Sequence, residues 1–113
     1  METKSLSEST ICCFGDSTTW GDNGCGAGGN DISWTSHLGA LLGGVVVENF
    51  GIKGSRIAIK ADRTDSFVER LDGIDDAADI YIVFGGVNDF SRNVPLGELG
   101  STDVHEFYGC LLY

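Results

Sequence analysis

Basic residues are scarce in this 113-residue chain: seven Lys and Arg stand against seventeen Asp and Glu, a formal net charge of −10. Phosphate contacts need clustered Lys and Arg, so a nucleic-acid partner is excluded. No apolar run approaches the length of a membrane span. Met1 to Thr10 is polar, carries no apolar leader segment and reads as a frayed lead-in, so the expected location is cytoplasmic. Metal-site spacing is missing too. Cys12, Cys13, Cys25 and Cys110 form no Cys-x-x-Cys pair. As strand neighbours, Cys12 and Cys13 point to opposite faces and cannot grip one ion. Their expected role is as small buried hydrophobes in a reducing compartment. The acidic group Asp72, Asp75, Asp76 and Asp79 lacks the Asp-x-Asp-x-Asp-Gly calcium pattern and reads as a solvated helix end and loop. Repeats and low-complexity tracts are likewise absent.

What is present has the length and apolar fraction of a single soluble domain spanning 1–113. Three apolar runs read as strands: Thr10 to Phe14, Val45 to Phe50 and Ile80 to Phe84. Between the first two, an amphipathic helix is expected over about Ile32 to Leu42, with Asp31 or Ser33 as N-cap and Gly43-Gly44 as stop. Trp34, Leu38, Leu41 and Leu42 form its apolar stripe. A second helix is expected over Ser66 to Leu71, where Ser66 and Glu69 have capping-box spacing. A last helical segment starts near Ser101-Thr102-Asp103, with Phe107 and Leu111 on one face. Strand, helix, strand, helix, strand is the order of a parallel α/β sheet wrapped by helices. The chain ends on Cys110-Leu111-Leu112-Tyr113, partway along an apolar helix face, which reads as a truncation.

Three turns at strand exits carry the chemistry. The first is Gly15-Asp16-Ser17-Thr18-Thr19, the second Gly51-Ile52-Lys53-Gly54-Ser55-Arg56, the third Gly85-Gly86-Val87-Asn88-Asp89. In a parallel sheet with right-handed crossovers the strand ends share one edge, where ligands of open α/β folds bind. For acyl transfer, Ser17 is the candidate nucleophile. The backbone N–H groups of Ser17 and Gly54 and the amide of Asn88 are candidate donors to an oxyanion. A glycine at 54 lets backbone approach a substrate closely. Asp16 and Asp89 are further candidate substrate contacts, although hydrogen-bonding the N–H groups of its own turn suits Asp16 better. Asp22 to Asp31 and Phe90 to Leu99 are the expected pocket loops. Gly24-Cys25-Gly26-Ala27-Gly28-Gly29 satisfies G-x-G-x-x-G, but it does not follow directly on a strand, so it reads as a loop near the site and not as a dinucleotide fingerprint. The α/β-hydrolase elbow G-x-S-x-G is excluded because Thr19 fills its last slot.

With these residues in order, the chain resembles the GDSL, or SGNH, hydrolases. Gly15-Asp16-Ser17 is similar to that family's first block, although Thr18 stands where the family name has Leu. Asn49-Phe50-Gly51-Ile52-Lys53-Gly54 is similar to the second, and Gly86-Val87-Asn88-Asp89 to the third, Gly-x-Asn-Asp. The resemblance covers roughly residues 10 to 110. It implies a flavodoxin-like three-layer sandwich with a parallel sheet, cut short after the third strand and the helix that follows. It also implies hydrolysis of a small carboxylic ester without metal or organic cofactor, with Ser17 as nucleophile and Gly54 and Asn88 in the oxyanion hole. The family's base is the His of an Asp-x-x-His block, and this sequence contains none. His37, read as a partly buried helix residue, and His105, whose neighbour Asp103 would diverge from it on a helix, do not supply it. The chain alone is therefore expected to be inactive. A sheet of three strands would expose an apolar edge and invite self-association. Two other readings remain: a flavodoxin-like phosphate or FMN module using Asp16 to Thr19, and a non-catalytic interaction protein that retains the fold.

Overall fold

A computed structural model describes residues 4–113; the first three residues of the expected lead-in lie outside it. From Lys4 onward the lead-in is tied down. Leu6–Glu8 form a single 3-10 turn, Ser9 is buried, and the Lys4 ammonium meets Asp79 at 2.9 Å. Asp79 also accepts the Thr10 N–H at 2.8 Å. Asp79 is exposed, as the solvated reading of the acidic stretch has it, and it also clasps the start of the first strand.

The three strands stand where the apolar runs put them. β1 is Thr10–Gly15, β2 Val46–Gly51 and β3 Ile80–Phe84. They form one parallel sheet in the order β2-β1-β3. Gly15 is the register partner of both Gly51 and Phe84, so the three strands end abreast. The chain is α/β, as expected. It divides into two compact units: one takes the chain up to Lys53 together with Ile74–Phe84, and the other takes Gly54–Gly73 with Gly85–Tyr113.

The first unit holds the sheet and two helices, α1 (Ser17–Trp20) and α2 (Trp34–Leu41), both packed on β2. Ser33 caps α2 by accepting the Thr35 N–H at 3.2 Å, and a 3-10 turn over Asn30–Ile32 precedes it. Central β1 is buried on both faces, Cys12 and Cys13 included. Ile11, Cys13 and Val45 pack with Trp34, Leu38, Leu42, Val47 and Ile82. Leu41 departs from its expected place, being 84 % exposed. The helix buries Thr35 and Gly39, because Gly39 lets it come close to Val45 and Val47. At about 100° per residue this turns Leu41 outward. His37 is likewise exposed, not partly buried. At the sheet edge, Ile80, Tyr81, Val83 and Phe84 are each between 39 % and 58 % exposed.

The second unit contains α3 (Phe67–Arg70), α4 (Val87–Ser91) and α5 (Phe107–Leu112). Both halves of the Ser66/Glu69 capping box form. The last helix starts later than Ser101. Asp103 accepts the His105 N–H at 2.9 Å and the Glu106 N–H bonds the Asp103 carbonyl, so this stretch is a turn. Among the described residues, no helix is long and apolar enough to cross a membrane.

Candidate active site

Strand β1 carries Gly15 to the sheet edge, and Asp16 turns the chain into α1. The Asp16 carboxylate is buried and accepts the Thr18 N–H at 3.0 Å, which makes it the N-cap. Gly15 is needed for proximity. A Cβ there would lie 2.6 Å from the Thr19 Cβ and 2.9 Å from the Phe84 carbonyl oxygen. Gly51 serves the other flank, where a Cβ would lie 2.7 Å from the backbone of Thr19 and of Trp20. The single turn of α1 therefore sits directly on bare backbone.

A polar network holds the C-terminal end of that turn. The Thr19 carbonyl accepts from Ser33 Oγ at 2.6 Å and from Asn49 Nδ2 at 2.7 Å. Asn49 also donates to Asn30 Oδ1, and Thr35 Oγ1 bonds both Asn30 and Ser33. Sequence reasoning assigned no role to Ser33, Thr35 and Asn49 in placing Ser17. The available signal was an Asn inside the otherwise apolar run Val45 to Phe50.

Ser17 is half-buried at the start of α1 and lines a cavity of about 430 Å³ together with Thr18, Asp22, Ile32 and glycines 21, 24 and 26. The expected pocket loop from Asp22 does line it. That loop is closed on itself: Asp22 bridges Gly28, and Asn23 Oδ1 accepts the N–H groups of Cys25 and Ala27. Lys53 reaches Asp22 at 3.0 Å and lies 4.8 Å over the Trp20 ring. The hydrogen bond from Lys53, and next the one from the Gly24 N–H, hold the Asp22 carboxyl below the usual carboxylate range. Beneath the site, burial and then the neighbouring Cys12 push the Cys13 thiol up to about 11, which keeps it an inert core group.

The other candidates lie in the second unit. Gly54 has φ +79°, and a Cβ on it would collide with the Arg63 guanidinium. Arg63 is held by Asp65, whose carboxyl that contact lowers. The Asn88 amide donates to the carbonyl of Ser55, next to Gly54, at 2.9 Å. Asp89 is buried, and its two oxygens accept the Ile57 and Ala58 N–H groups at 2.8 and 3.0 Å. Gly54, Asn88 and Asp89 thus lie in the second unit, where hydrogen bonds from Asn88 to Ser55 and to Asp89 from Ile57 join its two segments; Ser17 lies in the first unit. Both carboxylates offered as substrate contacts, Asp16 and Asp89, are engaged by backbone N–H groups. Phe90, Asn93, Val94 and Leu96, from the second expected pocket loop, line an apolar cavity of about 500 Å³ within the second unit.

One expectation about the histidines is overturned. His105 Nδ1 stands 3.1 Å from Asp103 Oδ1. The pair meets because residues 103–105 form a turn, whereas on a helix the two side chains would diverge. Both side chains are exposed. Among the described residues, no group of three or more His, Cys, Asp or Glu side chains is placed to hold a metal ion.

The model of the GDSL-like lipase/acylhydrolase family matches residues 13–109, which include all three turns. The chain belongs to that family. A solved structure that is 94 % identical covers 96 % of this chain with a TM-score of 0.92, and the match takes in 49 % of that protein. A protein from Lactobacillus plantarum is 35 % identical over 92 % of this chain and 46 % of its own, with a TM-score of 0.74. A G-D-S-L family protein from Desulfitobacterium hafniense is 27 % identical over 78 % of this chain and 45 % of its own, with a TM-score of 0.62. The chain thus spans about half the length of these solved structures. No curated protein matches it.

Proposed function

We propose that this chain is the nucleophile-bearing part of a serine ester hydrolase. Ser17 Oγ would attack the carbonyl carbon of a small ester, and the N–H groups of Ser17 and Gly54 with the Asn88 amide would receive the oxyanion. The observation that carries the reading is Ser17 itself: it is set on a one-turn helix at a strand exit, half-buried, and open to a cavity. Family membership supports it. Asn88 has two amide hydrogens and uses one on Ser55, which leaves one for an oxyanion. Without an Asp-x-x-His block the Ser17 hydroxyl stays protonated, and the chain alone turns over esters negligibly.

The test is hydrolysis of p-nitrophenyl acetate together with labelling by a fluorophosphonate. Turnover stays at the buffer rate, and slow labelling is lost in Ser17→Ala. Rapid turnover abolished by Ser17→Ala would reveal a base within these residues, and His105→Ala would then show whether the Asp103–His105 pair supplies it. The phosphate-module reading is disfavoured because the Thr18 N–H, a donor it requires, is already taken by Asp16. An unreactive Ser17 would favour the non-catalytic reading. Self-association through β3 belongs to this proposal, since its exposed run Ile80 to Phe84 has no charge or Pro to blunt the edge. Val83→Lys should then lower the mass seen in sedimentation equilibrium; a monomeric parent chain would refute it.

A further inference from the structure

The walls of the Ser17 cavity are almost all polar or backbone. Thr18 offers a hydroxyl, Asp22 a carboxylate, and Gly21, Gly24 and Gly26 offer only main chain; Ile32 is the one apolar side chain. The apolar cavity of the second unit is lined by Gly86, Asp89, Phe90 and Phe107 among others, but not by Asn88. At about 100° per residue, Asn88 on α4 points away from the arc of Gly86, Phe90 and Asn93. The apolar cavity described in the second unit is therefore not on the face of Asn88, and the cavity lined by Ser17 is not apolar.

Resting on the serine-hydrolase reading, we propose that the ester group entering the Ser17 cavity is short and hydrogen-bonding, such as an acetyl or hydroxyacyl group, and that fatty chains are not accommodated. An apolar wall would favour each added methylene by about fourfold, because each is removed from water. Glycine backbone and a carboxylate oppose an alkyl chain, because a chain laid against them displaces the water that their backbone polar groups and carboxylate oxygens need. The Thr18 hydroxyl instead suits an oxygen-bearing substituent.

The test uses this chain and two fluorophosphonates that differ only in an ethyl or a decyl substituent. In each, Ser17 Oγ bonds phosphorus, fluoride leaves with the P–F electrons, and the hydroxyl proton goes to solvent. Intact-mass labelling rates at mildly alkaline pH should favour ethyl by about tenfold or more, the reverse of the chain-length gain at an apolar wall. Thr18→Val, which keeps the shape and replaces a hydroxyl by a methyl, should narrow that ratio to about a third. Equal rates, a decyl preference, or a ratio unmoved by Thr18→Val would overturn the cavity proposal alone. No Ser17-dependent mass shift with either probe would overturn the nucleophile reading, and this proposal with it.

Discussion

The first and third turns are built from the same parts and stabilised in different ways. Each leaves a strand through glycine, enters a one-turn helix, and carries one buried aspartate. In the first, Asp16 precedes the helix and closes on Thr18, two residues away. In the third, the N-cap is Gly86 at φ +115° with no side-chain cap, and Asp89 lies within the helix. Its carboxylate reaches Ile57 and Ala58, 32 and 31 residues back. One acid shapes a turn; the other fastens two distant segments. An N-cap carboxylate such as Asp16 lies over the free N–H groups of its own helix, whereas Asp89, third in its helix like the Glu69 that closes back on Ser66, is turned instead to the N–H groups of Ile57 and Ala58.

Four measurements would break or sharpen that contrast. The largest effect is expected from Asp89→Ala, which leaves two buried N–H groups without a partner and should cost about 3 kcal/mol in urea unfolding. Gly15→Ala should cost about 2 kcal/mol, because Thr19 or the end of β3 must give way to the added methyl group. Asp16→Ala removes one local cap and should cost about 1 kcal/mol. If Asp16→Ala proved costlier than Asp89→Ala, the local and long-range assignments would have to be exchanged.

The smallest effect per group is acid destabilisation. Hydrogen bonds hold the carboxyls of Asp22, Asp62, Asp65, Asp79 and Asp103 below their ordinary range: from Lys53, Arg56, Arg63, the Thr10 N–H and the His105 N–H respectively. Their folded pKa values lie below the unfolded value of about 3.9. The unfolded chain therefore binds protons first as pH falls. The stabilisation is complete above about pH 5 and is lost as pH drops through the folded values. The thermal midpoint should hold between pH 7 and about pH 5 and fall below about pH 4. A midpoint unchanged at about pH 3 would mean these contacts are equally formed in the unfolded chain.

Much of the fold was legible in the sequence. The three strands lie within a residue of their apolar runs, and Ser33 and Ser66 cap as their spacing indicated. Periodicity needs several turns to register, so α1 and α4, of four and five residues, left no trace. The Asp103 turn delayed α5 because a side-chain acceptor two residues before an N–H competes with helical bonding. The same competition brought His105 onto Asp103. Of the candidate site, Ser17, Gly54 and Asn88 were identifiable as residues at strand exits, but the Ser33, Thr35 and Asn49 network behind Thr19 was not. Its bonds span 14 and 30 residues.

The sequence alone determined the three strands, the caps at Ser33 and Ser66 and the exit of Ser17 at the end of β1, because these depend on neighbours within about four residues. Only the tertiary structure decided why Gly15 and Gly51 must be bare, which way α2 faces, and where Asp89 spends its charge. It also decided that the cavity beside Ser17 has polar walls. Each of these is a contact between segments far apart in the chain, and no local pattern encodes the distance at which such segments meet.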